Sequence, residues 1–140
     1  MQGDFADSRI AGPFSLIFAL VSTFYLLHSP DKQQRCFYTV ARLLLERGVF
    51  LLENYEPLSA GSEVENGKTD ETYFFEQIIE TFNGPRCYRV RICYATPAQL
   101  DRMAENAGLR LRERWNSWRR DPHVLGNPRH ISLYERNTGD

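Results

Sequence analysis

The run Phe14-Ser15-Leu16-Ile17-Phe18-Ala19-Leu20-Val21-Ser22 constrains this chain more than any other segment. It is almost continuously apolar and follows the turn signal Ala11-Gly12-Pro13, as expected of a strand covered on both faces and not of a half-exposed one that alternates. A second such run, Val49-Phe50-Leu51-Leu52-Glu53, comes after a helical stretch. Ser29 offers the cap of that helix, Pro30 its first residue and Asp31 a charge suited to its positive end. Phe37, Val40, Ala41 and Leu44 recur at helical spacing, and Gly48 is suited to closing the helix in the left-handed conformation, so its end is expected at Arg47 or Gly48. Strand, helix and strand at this length make one right-handed crossover between parallel strands.

The 140 residues amount to one domain. A hydrophobic content of 42% with 25% charged residues excludes disorder of the whole chain. Lysine and arginine number 17 against 18 acids, and the net charge of -1 argues against a bulk nucleic-acid binder. Cys36, Cys87 and Cys93 form an odd set without a C-x-x-C pair, which fits reduced thiols and a cytoplasmic setting better than a disulfide framework or a structural zinc site. Phe14 to Leu27 is too short for a membrane span, which needs about 20 apolar residues, and Asp4 and Asp7 stand where an export signal would be basic.

Between Glu53 and Glu80 there are eight acids and one lysine, with Ser59, Gly61, Ser62 and Gly67 breaking any period. Residues 54–85 therefore read as an acidic surface insertion, a candidate lid. From Arg86 to Arg120 the balance reverses to nine arginines against three acids; the plain reading is two solvated faces, because exposed ion pairs contribute about 0–1 kcal/mol. Cys87 to Tyr94 alternates as a strand, with Tyr88, Val90, Ile92 and Tyr94 on one face and Arg89 and Arg91 on the other. Thr96-Pro97-Ala98-Gln99 matches a capping box, and Leu100, Met103, Ala104 and Ala107 form the stripe of a helix ending at Gly108. Leu109 to Trp118 and His130 to Arg136 read as two final strands around a loop holding Asp121, Pro122, Gly126, Asn127 and Pro128.

Taken in order, these segments resemble class I S-adenosylmethionine-dependent methyltransferases. Gly3-Asp4-Phe5-Ala6-Asp7 and Gly12 to Ala19 resemble the end of that family's third strand and its fourth strand. Leu43 to Gly48 and Val49 to Glu53 resemble its fourth helix and fifth strand. Tyr94 to Asp101, Met103-Ala104, Ala107-Gly108-Leu109, Glu113-Arg114-Trp115 and Arg129 to Tyr134 are similar to the C-terminal part of small bacterial members. The resemblance implies an α/β fold, the C-terminal portion of a Rossmann-like sheet with parallel strands, a final antiparallel strand and helices packed on the sheet. It implies S-adenosylmethionine as cofactor and a small molecule as methyl acceptor. By the same resemblance Asp4 accepts from the adenine amino group, the Phe5 backbone N–H donates to the ring, and Val21, Ser22, Thr23 and Phe24 border the methyl donor. The Gly-rich turn after the family's first strand, which would receive the methionine carboxylate, has no counterpart here. The family's sheet order puts its first strand beside Phe14 to Ser22, so the chain is expected to dimerise, to pair with a separately encoded N-terminal half, or to be a truncated reading frame.

Methyl transfer from a sulfonium is an in-line displacement that rests on alignment and exclusion of water. An oxygen acceptor also needs a general base, for which the sequence offers His28, His123, His130, Glu53 and Glu56. Glu53 ends a strand and His28 precedes a helix cap on the side where open α/β sheets bind ligands, which makes these two the catalytic candidates. Tyr25 and Tyr55 follow the same strand ends, and with Phe24 they are the candidate substrate contacts; Tyr94 is a further candidate wall. Trp115 and Trp118, an odd number apart on one strand, face opposite ways. Two other classes compete with an enzyme: a non-catalytic binding or regulatory subunit that docks a partner through the exposed strand edge, and a nucleic-acid patch of Arg110, Arg112, Arg114, Arg119 and Arg120 with the two tryptophans, which the acidic insertion opposes.

Overall fold

The computed structural model of the chain describes residues 2–56 and 72–139, without the side chains of 72–77. Strand β1 (Phe14–Ala19) pairs in parallel with β2 (Leu44–Tyr55), and the connection between them carries helix α1 (Pro30–Leu43). Ser29 caps α1, its hydroxyl accepting from the Lys32 N–H at 3.1 Å, with Pro30 in the first turn as expected. A two-stranded ribbon follows, β3 (Thr72–Thr81) and β4 (Gly84–Cys93). Helix α2 (Pro97–Asn106) opens on the capping box of Thr96 and Gln99. It leads to β5 (Leu109–Trp115) and β6 (Arg129–Arg136). The main sheet has the order β1-β2-β6-β5, and β6 runs antiparallel to both neighbours, so β1, β2 and β5 share one direction. This is the expected parallel sheet with a single reversed final strand.

Helix α1 lies on one face of that sheet through Phe37, which meets Phe24, Phe50 and Tyr134 edge-on at centroid distances of 5.4–5.6 Å. Edge-to-face pairs of this kind add to the burial of their rings. Leu100 and Ala104 of α2 enter the same core, and Asp101 holds Arg114 of β5 by two bonds of 2.6 and 3.1 Å.

Four boundaries differ from those expected. Helix α1 stops at Leu43, and Leu44 already has extended geometry (φ -75°, ψ 138°). Gly48 therefore does not cap a helix, and it has no positive φ. It lies in β2 beside Phe14, where a Cβ would come within 2.9 Å of the Phe14 carbonyl oxygen. Close approach of two backbones, not left-handed freedom, is what requires glycine there. Strand β1 ends at Ala19 and not Ser22, because Val21 and Ser22 take φ of 52° and 59° and turn the chain into a 3-10 helix at Thr23–Leu26. Strand β5 ends at Trp115 and not Trp118, so the two-residue alternation that set the tryptophans on opposite faces does not extend to Trp118. Of the acidic insertion, residues 57–71 lie outside the described part, while Thr72–Thr81 is a strand paired with β4; aromatic and β-branched residues in Tyr73-Phe74-Phe75 and Ile78-Ile79 favour that state.

Candidate functional site

Parallel strands β1 and β2 end together, and their carboxyl ends are where open α/β sheets bind ligands. The two ends are joined through Glu53. Its backbone carbonyl accepts from the Ser22 N–H at 2.9 Å, and its side-chain Oε1 accepts from the Val21 N–H at 3.1 Å. Its other oxygen, Oε2, accepts from the Trp118 indole N–H at 2.9 Å and lies 4.0 Å from the Arg129 guanidinium. Two residues on, the Tyr55 N–H donates to the Ser22 hydroxyl at 2.9 Å. Glu53 is only 4% exposed, so the carboxylate expected as a catalytic base is a buried acceptor with donors on both oxygens.

The cofactor candidates fall into two groups. Asp4 caps a short 3-10 helix, Phe5–Asp7, by accepting from the Ala6 N–H at 2.9 Å, and its second oxygen pairs with Lys32 at 3.2 Å. The Ala6 N–H, and after it the Lys32 ammonium, hold the Asp4 carboxyl below the ordinary value. Phe5 lines a cavity of about 430 Å³ that runs from Phe14 along β1 to Thr23, against Cys36, Val40 and Leu43 of α1. An apolar cavity of that size accommodates a flat heterocycle. Thr23 closes the strand end on itself, its hydroxyl donating to the Leu20 carbonyl at 2.6 Å. Val21 and Ser22 form the left-handed turn next to it.

The candidate acceptor contacts separate. Tyr55 is 40% exposed and sits under the Arg129 guanidinium at 5.9 Å. Phe24 and Tyr25 are fully buried. The Tyr25 hydroxyl donates to the Ala95 carbonyl at 3.1 Å and its ring meets Tyr94 edge-on at 5.5 Å, so both tyrosines support the strand end from inside. Burial raises the Tyr25 hydroxyl far above its ordinary pKa. His28 is exposed and has no hydrogen bond or ion pair among the described residues. Glu56 donates its N–H to the Pro128 carbonyl at 2.6 Å.

Three features were missed by sequence reasoning. Asn54 faces His130 across the β2–β6 ladder, and both are fully buried. Among the described residues neither amide atom of Asn54 nor Nδ1 of His130 has a hydrogen-bond partner. Burial, then the Arg114 charge, pushes His130 down to about 4, so its imidazole is neutral at pH 7. Nothing in the spacing marked Asn54; His130 was among the candidate bases, but its burial against Asn54 was not legible. Trp118 and Arg129 reach Glu53 from the 116–128 loop and the start of β6, contacts of long sequence separation that no local pattern announces.

The sequence matches no protein-family model and no curated protein. Solved structures match the fold closely. The CcbJ methyltransferase from Streptomyces caelestis aligns with a TM-score of 0.81 and 28% identity over 96% of this chain and 62% of its own. An S-adenosylmethionine-dependent methyltransferase from Clostridium acetobutylicum aligns at 0.75 and 14%, over 96% and 63%. The amino pentose methyltransferase of Micromonospora echinaspora, solved with S-adenosylmethionine bound, aligns at 0.69 and 15%, over 96% and 63%. The chain thus has the Rossmann-like fold of class I S-adenosylmethionine-dependent methyltransferases. It spans a little over three fifths of the length of these relatives. No helix among the described residues is long and apolar enough to cross a membrane.

Proposed function

We propose that this chain forms part of an S-adenosylmethionine-dependent methyltransferase that methylates a small molecule. The observation that carries the reading is the joined carboxyl end of β1 and β2, a shaped turn at the ligand side of a methyltransferase sheet. The end of the cavity near Phe5, Ala19, Leu20 and Thr23 would receive the adenine half of the cofactor, its apolar lining supporting that reading. Asp4, half exposed and held as an anion by its neighbours, has the chemistry to accept from an exocyclic amine. Val21, Ser22 and Thr23 would shape the wall next to the methyl donor. When bound, the cofactor supplies an electrophilic methyl group on a sulfonium; the chain aligns it and keeps water out.

On the acceptor side, Tyr55 and the neighbouring Arg129 would form an exposed rim. Tyr25 and Phe24 are buried beneath the strand end, which supports a role in shaping it over direct contact with the acceptor. His28 is the exposed imidazole that follows the β1 end, and it takes the proton where the acceptor must lose one.

Strand β1 is the edge of the main sheet, with Leu16 and Phe18 more than half exposed. An apolar edge of this kind pairs readily with another strand, and we assign it to a second copy of the chain. Calorimetric titration with S-adenosylhomocysteine tests the cofactor assignment without knowledge of the acceptor. Micromolar binding is expected; no heat at millimolar ligand, alone and at dimer-forming protein concentration, would overturn it.

A further inference from the structure

The turn at the end of β1 is held in a conformation that its own residues oppose. Val21 and Ser22 are consecutive and both left-handed, at φ 52° and 59°. That region is sterically costly for any residue with a Cβ and most of all for a β-branched one. Packing does not hold Val21 there, because its side chain is 71% exposed. Hydrogen bonds do. Both backbone N–H groups of the pair end on one residue of the neighbouring strand, Val21 on the Glu53 side chain at 3.1 Å and Ser22 on the Glu53 carbonyl at 2.9 Å. The Ser22 hydroxyl is engaged in turn by the Tyr55 N–H at 2.9 Å.

A buried carboxylate is expensive unless its oxygens are satisfied. Here the second oxygen is satisfied by Trp118, from the 116–128 loop, at 2.9 Å. The same loop is organised around Asn116, whose side-chain oxygen accepts from the Val124 N–H at 3.0 Å and whose carbonyl accepts from Arg129 Nε at 2.8 Å. Arg129 in turn approaches Glu53 at 4.0 Å. The carboxylate therefore stands between the strained turn and the loop, with a donor from each side. Strained backbone held by surrounding bonds gathers at ligand-binding positions, and this one lies at the ligand side of the sheet.

We propose that Glu53 is a positioning residue: its buried carboxylate holds Val21, the first residue of the left-handed turn that meets the methyl donor, while its backbone carbonyl holds Ser22, and the carboxylate ties that turn through Trp118 to the 116–128 loop. The proposal rests on the methyltransferase reading above and gives Glu53 a role other than that of a base.

The test is a cycle of four proteins: the natural chain, Glu53→Gln, Val21→Gly, and the double variant. Glutamine keeps one acceptor oxygen but turns an NH2 group toward one of the two donors, so Glu53→Gln is expected to weaken S-adenosylhomocysteine binding about tenfold or more. Glycine adopts positive φ without steric cost. Adding Val21→Gly to Glu53→Gln should therefore restore affinity to within about threefold of the natural chain, since the turn no longer needs to be forced. A catalytic or merely packed Glu53 predicts no such rescue. A double variant as weak as Glu53→Gln, or a Glu53→Gln protein that binds like the natural chain, would overturn the proposal.

Thermal melts of the same four proteins give an arm that needs no ligand. Val21→Gly should raise Tm more in the Glu53→Gln background than in the natural one, and equal shifts would overturn the proposal. If the natural chain does not bind S-adenosylhomocysteine, the methyltransferase reading fails by itself, and the melts still decide whether Glu53 holds the turn. Should Glu53→Gln not fold, Glu53→Asp replaces it, keeping the charge while withdrawing the carboxylate by one methylene from the Val21 N–H; the same rescue by Val21→Gly is then required.

Discussion

Gly48 separates two physical accounts of one residue. If it ended a helix in the left-handed conformation, asparagine would be nearly as good there, because asparagine tolerates that region far better than alanine does. In the structure Gly48 lies within β2, and the space its Cβ would need is taken. The nearest atoms are 2.8 Å away at Leu44 Cδ2, 2.9 Å at the Phe14 carbonyl oxygen and 3.1 Å at the Leu45 nitrogen. The leucine methyl belongs to a side chain and has freedom to turn aside. The two backbone atoms do not, because β1 and β2 are paired on either side, Phe14 with Leu44 and Leu16 with Val49, and the register shift between these pairs puts Gly48 in a bulge pressed against β1. Gly48→Ala should therefore act as overpacking, destabilising by about 1–3 kcal/mol, and Gly48→Asn should be at least as harmful. For a chain of this size that is a fall in Tm of roughly 3–10 °C. Urea unfolding followed by circular dichroism gives the free energies directly, with an unchanged m-value as the sign that the denatured state is the same. A Gly48→Asn protein as stable as the natural one, beside a weakened Gly48→Ala, would refute close approach and restore the helix-cap account.

Two further predictions concern the polar pair under the site. Asn54→Leu removes a fully buried amide that has no partner among the described residues; it should stabilise the protein by about 1–3 kcal/mol in thermal or urea unfolding, and a loss of stability would show that the amide is satisfied in solution. His130 is pushed down to about 4 by burial, so between pH 6.5 and 4 the unfolded chain binds a proton that the folded one refuses, and stability falls as pH falls through that window. The total is of order 3 kcal/mol; unfolding free energies at pH 7 and pH 4 should differ by clearly less in His130→Gln, and an unaltered difference would exclude His130 as the source.

How far the sequence reached depends on the range of the interaction concerned. The apolar runs at Phe14 and Val49, the Ser29 and Thr96 caps and the prolines that follow them are signals within a few residues of the elements they specify. Those elements are present in the structure. Patterning also placed the last two strands and the crossover, because a sheet buried on its core face demands that periodicity wherever the strands end up. The ends of elements were less legible. Whether β1 stops at Ala19 or Ser22 is decided by acceptors on Glu53, which lies 32 residues away along the chain from Val21. Where α1 gives way to β2 is likewise decided by the backbone of Phe14 against Gly48.

The same division runs through the site. Sequence alone pointed to residues at the carboxyl ends of the parallel strands, Val21 to Tyr25 with Glu53 and Tyr55, since those positions follow from the order of strands and helix. Tertiary structure decided what each does there. It turned Tyr25 into the core and left Tyr55 out, enclosed Asn54 beside His130, and brought Trp118 to the Glu53 carboxylate from 65 residues further on. Periodicity records which face a residue presents to the core. It holds no record of which distant donor will satisfy a buried carboxylate, because that pairing exists only once the strands and the loop between β5 and β6 have closed around it.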